Sequence, residues 1–153
     1  MKVDSSVTVL LTGANGGIGA AIARELHGRG AKLILSVRRK EAVEALAREL
    51  DARVIVADMA KRNEVACLAD DAHDADVLIA NAAVPATGHA LAFSVDEIDA
   101  SLEVNLRAPI VLARLTAERM TKRGRGHIVF ISSIAGKVAP ATSALYSDRK
   151  SVV

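Results

Sequence analysis

A doubly wound α/β fold, in which one parallel sheet carries helices on both faces, is predicted by two features of this 153-residue sequence. Short runs rich in Val, Ile and Leu alternate with longer segments whose apolar residues recur at helical spacing, which is the pattern of successive βαβ units. The first of these runs, Val7-Thr8-Val9-Leu10-Leu11, leads without a linker into Thr12-Gly13-Ala14-Asn15-Gly16-Gly17-Ile18-Gly19, and that glycine-rich turn opens a helical pattern carrying Ile22, Ala23 and Leu26. Hydrophobic residues make up 51% of the chain, enough for a sizeable core, and a single domain over residues 1–153 is expected. Because aromatics amount to only 2%, the packing must come from Ala, Val, Leu and Ile.

In order along the chain, strands are predicted at about 7–12, 31–37, 53–57, 76–81 and 127–132, with helices at roughly 17–29, 40–50, 61–73 and 95–122. Gly28-Arg29-Gly30 ends the first helix, and Val84-Pro85-Ala86-Thr87-Gly88 opens a surface loop after the fourth strand. The basic run from Arg119 to Arg125 falls at the end of the longest helix, just where Gly124 and Gly126 stop it, and is expected to complement that helix's negative terminus.

Charge and composition exclude several classes of function. Twenty basic and eighteen acidic residues are mixed along the chain for a net charge of +2, too balanced to imply nucleic acid or an anionic membrane as partner. Lys2 and Asp4 precede Val7 with no apolar stretch, so neither a signal peptide nor a membrane span is expected. The single cysteine, Cys67, rules out an internal disulfide and fits a reducing compartment, the cytoplasm; its setting is that of a small helix residue and not of a nucleophile. His89 belongs to a loop, no Cys/His/Asp cluster has metal-ligand spacing, and no G-x-S-x-G elbow occurs, so no metal is expected.

The glycine turn has the chemistry of a phosphate cradle. Gly13 allows a tight exit from the strand, Gly17 removes the side chain where a pyrophosphate must come within contact distance, and Gly19 lets the helix lie close to the strand. The unpaired N–H groups at the helix start then face the phosphates. The spacing differs from G-x-G-x-x-G and resembles the T-G-x-x-x-G-I-G turn of the short-chain dehydrogenase/reductase family, matched at every fixed position. That resemblance implies a Rossmann-like sheet of five strands in order 3-2-1-4-5, with Gly13, Ala14, Asn15, Gly17, Ile18 and Gly19 against the cofactor.

Which dinucleotide is bound follows from the end of the second strand. Lys32-Leu33-Ile34-Leu35-Ser36-Val37 runs into Arg38-Arg39-Lys40, so Val37 stands where an acid would hold the adenosine ribose hydroxyls and disfavour a 2′-phosphate. NADP(H) is therefore expected in preference to NAD(H), which remains possible, with Arg38 on the 2′-phosphate and Arg39 or Lys40 in support. The competing reading, that these charges begin a solvated helix, is opposed by the helix dipole. Asp58-Met59 closes the third strand; Asp58 either accepts from the adenine amino group, as the matching family residue does, or caps the segment from Lys61. The fourth strand ends Ala80-Asn81-Ala82-Ala83 and resembles the family's N-N-A-G, with Ala80 for the first Asn and Ala83 for Gly; Asn81 and Ala82 match and are expected near the cofactor ribose.

Residues suited to catalysis follow. The run Gly126-His127-Ile128-Val129-Phe130-Ile131-Ser132-Ser133 brings two hydroxyls to a strand's C-terminal end, where ligands collect in parallel sheets. Tyr146 stands thirteen residues beyond Ser133, and Lys150 four beyond Tyr146, which places the last two on one helical face. Asn105 is a polar residue between Val104 and Leu106, mid-helix. In order and spacing, Asn105, Ser133, Tyr146 and Lys150 resemble the family's Asn-Ser-Tyr-Lys tetrad, and Ser133 is preferred to Ser132 because it keeps the family interval to Tyr146. The resemblance implies interconversion of a small-molecule carbonyl and alcohol. Tyr146 would act as acid/base, favoured as phenolate by a neighbouring ammonium, while Ser133 orients the substrate oxygen and Asn105 holds a water leading from Lys150 to solvent. Taken singly, each has a plainer reading: a turn serine, a satisfied helix amide, a boundary aromatic, a solvated lysine.

The resemblance spans residues 7 to about 147, and the family continues through further strands and helices, so a C-terminally truncated member is expected, whose full-length form would be a homo-oligomer pairing through the helix at 95–122. The ending Asp148-Arg149-Lys150-Ser151-Val152-Val153 resembles the in-frame translation of a sequencing adapter, which would make 148–153 a non-native tail and the register of Lys150 accidental. Two rival functions stand beside the enzyme: a non-catalytic dinucleotide-binding module and an inactive fragment.

Overall fold

A computed structural model of the chain describes residues 2–138 and 145–147. Its elements run β1 (Thr8–Thr12), α1 (Gly17–Gly28), β2 (Lys32–Val37), α2 (Glu44–Glu49), β3 (Arg53–Val56), α3 (Arg62–Asp71), β4 (Val77–Ala80), α4 (Val95–Leu102), α5 (Ala108–Arg123) and β5 (His127–Phe130). The five strands form one sheet in order β3-β2-β1-β4-β5, and every pairing is parallel. This is the expected Rossmann-like arrangement, with the order reversing between β1 and β4, so the carboxyl ends of all five strands open on one edge.

Alternation along the strands divides the core into two. Val9 and Leu11 of β1, Leu33, Leu35 and Val37 of β2, and Val77 and Ile79 of β4 pack on the side of α1 and α2. Leu10, Ile34 and Leu78, the residues between, pack on the side of α3 and α5 with Val65, Leu68, Ala108 and Leu112. Both faces of β1, β2 and β4 are thus covered, which is why these strands read as continuous apolar runs. Each fully buried Leu or Ile contributes about 1.5–3 kcal/mol by leaving water.

Two helices differ from expectation. The predicted helix at 40–50 begins as a 3-10 turn, Lys40–Ala42, and only then becomes α2. The predicted helix at 95–122 is divided by one π-helical turn, Glu103–Arg107, where the Ala108 N–H bonds Glu103 five residues back. The start of α4 is well specified: Ser94 accepts from the Glu97 N–H while the Glu97 carboxylate accepts from Ser94, a reciprocal cap.

The basic run places Lys122 and Arg123 in the last turn of α5, as expected, and its arginines also reach across the molecule. Arg119 pairs with Asp70, and Arg123 donates to the carbonyls of His73 and Ala75 in the α3–β4 connection. Arg125 forms a two-pronged pair with Asp76, 2.9 and 3.1 Å, and Asp76 also accepts from the Thr8 N–H. Asp76 is 2% exposed, so its charge is buried but fully answered, and it ties β1, β4 and β5 together at the edge opposite the glycine turn.

Candidate functional site

The turn between β1 and α1 is held by contacts that leave little freedom. Gly13 has φ +67°, and a Cβ there would lie 2.8 Å from Ala82 Cα; a Cβ on Gly19 would lie 2.3 Å from the Gly13 carbonyl oxygen and 2.9 Å from Ala14 Cα. The first β4 residue past the strand supplies the clamp. Asn81 donates its side-chain amide to the carbonyls of Thr12 and Gly13, both at 3.1 Å, and the Thr12 hydroxyl accepts the backbone N–H groups of Asn81 and Ala82, both at 3.0 Å. Ala14 is completely buried beneath this clamp.

Gly17 is different from its neighbours. It opens α1, is exposed, and a Cβ on it would meet nothing within 4 Å. Nothing in the fold requires glycine at this position, whereas a bulky anion resting on the α1 amide groups would require it. No acidic residue stands in the first turn of α1 to compete for those amides, and Ile18 beside them is 63% exposed.

A cavity of about 300 Å³ extends from this turn across the carboxyl ends of β1 to β4. Gly13 and Asn15 of the turn line it together with Arg38, Arg39, Asp58, Met59 and Ala82. Most of its wall is small or apolar: Val37, Ala57, Ala83, Val84, Ala100 and Val104. Asp58 does not cap α3, whose N-cap is Lys61. Its carboxylate instead accepts the Ala60 N–H at 3.0 Å, while its own N–H donates to Glu64 at 2.7 Å, which fixes the bend that carries Asp58 and Met59 into the cavity. The hydrogen bond from Lys61 and the Asp58 N–H hold the Glu64 carboxyl below its ordinary value.

Asn105 lies in the π turn, 3% exposed. Its amide oxygen accepts the Val84 N–H at 2.8 Å, and its amide nitrogen donates to the Val84 carbonyl at 2.9 Å and to Ser101 at 3.2 Å. Both amide hydrogens are therefore spent on protein, and what the side chain does is fix the loop after β4 against the helix pair. Glu103 braces the same turn through Arg107 and Arg62; burial pushes its carboxyl up, but the two guanidinium groups outweigh that and leave it below the usual value.

Ser133 follows β5 on the edge that carries the glycine turn. Its hydroxyl accepts from the Ala135 N–H at 3.2 Å, which leaves its proton to be donated elsewhere. Tyr146 is half-buried in a helical turn at residues 145–147. Lys150 and the rest of 148–153 lie outside the described residues. Gly13, Asn15, Arg38, Asp58, Met59 and Ala82 line the cavity itself. Ala14, Gly19 and Asn81 shape it from behind, and Gly17 and Ile18 lie at the exposed start of α1.

The model of the short chain dehydrogenase family matches residues 7–153. The chain belongs to that family. Among its relatives is an uncharacterized oxidoreductase of Staphylococcus aureus (strain MRSA252), 31% identical over 160 aligned positions that take in 100% of this chain and 69% of the relative. A solved metagenomic short-chain oxidoreductase in complex with NADP is 37% identical with a TM-score of 0.91, covering 97% of this chain and 72% of that one. The bulky-bulky ketone specific alcohol dehydrogenase from Comamonas testosteroni is 30% identical with a TM-score of 0.90, covering 96% of this chain and 56% of that enzyme. The short-chain dehydrogenase fold thus extends over the described residues, and the chain is an oxidoreductase by family.

Thr12, Ser36, Ala100 and Val104 also line the cavity. Thr12 is the fixed threonine of the turn motif and was open to notice. Ala100 and Val104 come from helices distant in sequence and carry no chemical signal. The glycine geometry predicts opposite outcomes for two similar substitutions. Gly19→Ala will destabilise the fold by about 3 kcal/mol or more, since the clash is with backbone. Gly17→Ala will leave stability unchanged or raise it by about 0.4–1 kcal/mol. Urea denaturation of both variants checks the pair.

Proposed function

We propose that this chain is the dinucleotide-binding portion of an NADP(H)-dependent oxidoreductase that interconverts a carbonyl and an alcohol on a small-molecule substrate. The observation that carries the reading is that Arg38 and Arg39 line the same cavity as Gly13 and Asn15 of the glycine turn, with Val37 and not an acid closing β2. A guanidinium pair suits a 2′-phosphate, and a carboxylate that would repel it is missing from the end of β2. The solved relative in complex with NADP points the same way.

Each end of the dinucleotide has residues suited to it. The α1 amide groups and Gly17 would receive the diphosphate, Arg38 the 2′-phosphate, Asp58 and Met59 the adenine, and the backbone at Asn81 and Ala82 the ribose on the reacting side. When bound, the nicotinamide exchanges hydride with the substrate carbon. The protein's own task is then the proton at the substrate oxygen: the Ser133 hydroxyl holds that oxygen by donating to it, and the Tyr146 hydroxyl gives or takes the proton. Lys150, four residues beyond Tyr146 in sequence, would supply the positive charge beside that exchange. Asn105 keeps the wall at Val84 in place, and its remaining capacity is the open lone pair of its amide oxygen.

Residues 1–153 are read as one domain, active in the cytoplasm. No helix among the described residues is long and apolar enough to cross a membrane. Val95 and Leu102 of α4 and Ile110 of α5 are exposed apolar residues on the helix pair, and they support pairing of the full-length protein with a second copy.

Thermal shift with NADPH and NADH tests cofactor choice. NADPH will stabilise the protein more than NADH, and Arg38→Ala will weaken NADPH binding about 10- to 100-fold while leaving NADH nearly unaffected. Equal or greater stabilisation by NADH contradicts the assignment. For the chemistry, Tyr146→Phe will lower ketone reduction about 10²- to 10⁴-fold with NADPH binding retained; unaltered turnover in that variant, followed by loss of NADPH absorbance, removes Tyr146 from the role.

A further inference from the structure

Ser36 is 1% exposed, lines the cavity, and its side-chain oxygen has no hydrogen-bond partner among the described residues. Its position is set by the sheet. Parallel register puts it beside Thr12 of β1 and Ile55 of β3, on the face of β2 that also carries Ile34. On that face Ile34 lies in the core, and the hydroxyl stands where the strand meets the cavity. The Ser36 carbonyl is already engaged, accepting the Gly13 N–H at 2.9 Å, so the backbone needs no help from the side chain.

A buried hydroxyl without a partner is a standing cost, and an alanine would fill the same place without it. Buried hydroxyls with a purely structural role answer that cost locally, as Thr116 does by donating to the Leu112 carbonyl at 2.7 Å. Ser36 makes no such bond. Its neighbour Thr12 has a hydroxyl that accepts two backbone N–H groups. The two hydroxyls, on paired residues of adjacent strands, both line the cavity and offer polar positions in a wall that also holds Val37, Ala57 and Val104.

We propose that the Ser36 hydroxyl is a binding contact for the adenosine half of the dinucleotide, made directly or through one water shared with Thr12, and that it gains its missing partner only in the bound state. This rests on the dinucleotide reading above and adds a second determinant of affinity on β2, separate from the charge of Arg38.

The test compares wild type with Ser36→Ala and the near-isosteric Ser36→Cys, by calorimetric titration of NADPH and of adenosine 2′,5′-bisphosphate and by thermal unfolding without ligand. Both variants are expected to unfold at the wild-type temperature or above it, because an unanswered polar group has been removed. Both are expected to bind either ligand about three- to tenfold more weakly, the range of one neutral hydrogen bond. Wild-type binding with unchanged affinity in the variants overturns the Ser36 contact alone. A lower unfolding temperature of the ligand-free variants also overturns it, since the hydroxyl would then serve the fold. Failure of wild type to bind either ligand removes the dinucleotide reading itself, and the contact with it.

Discussion

Asn81 fastens the end of β4 to the end of β1, and the shape of the site depends on that fastening. Its amide spans the Thr12 and Gly13 carbonyls while the Thr12 hydroxyl gathers two N–H groups from the β4 side. In a parallel sheet the strands on either side of the order reversal diverge into opposite layers, and their ends part to form a crevice. The clamp bounds that crevice. It brings Gly13 so near Ala82 that no Cβ fits, and it sets Asn81 so near Gly19 that the start of α1 lies tight against the strand. The amide groups of α1 are thereby aimed past Gly17 into open space.

A second fastening works at the far wall. The π turn at Glu103–Arg107 inserts one residue into an otherwise regular helix, and Asn105 within it engages both backbone groups of Val84. Such insertions place a side chain where a regular helix could not. Here the consequence is a loop after β4 that is held at its root, with Ala83 and Val84 forming cavity wall beside Val104. Glu103, paired with arginines from α3 and from its own turn, keeps the insertion in register. The wall at Asp58 is organised in the same manner by Glu64, which anchors Asp58 through its backbone. Thr12, Asp58, Glu64, Asn81 and Asn105 thus hold backbone around the cavity.

The fold could be read from the sequence because each strand of the sheet centre is buried on both faces and so appears as an unbroken apolar run, and because the glycine turn marks the first strand-to-helix junction. The site was legible where a residue type has an unusual backbone or charge requirement, as at Gly13, Gly19 and Arg38. It was not legible where a contact depends on hydrogen-bond register. Periodicity in the segment from Val95 to Arg123 does not reveal one added residue, although a polar Asn105 between apolar neighbours hinted at it. The basic run from Arg119 to Arg125 was legible as a complement to the end of α5, but its arginines' partners at Asp70, His73, Ala75 and Asp76, roughly fifty residues earlier in sequence, were not. Ser36 was invisible for the plainest reason: a serine in a strand has no signal until its missing partner is known.

The central claim is that the clamped turn presents the first amide groups of α1 to a diphosphate. Amide hydrogen exchange with and without NADPH tests it most directly. Slowed exchange confined to residues 13–20 and to the rim at Arg38 is the predicted result. Saturable NADPH binding that leaves the exchange of those amides unchanged, with protection elsewhere in the molecule, would contradict it.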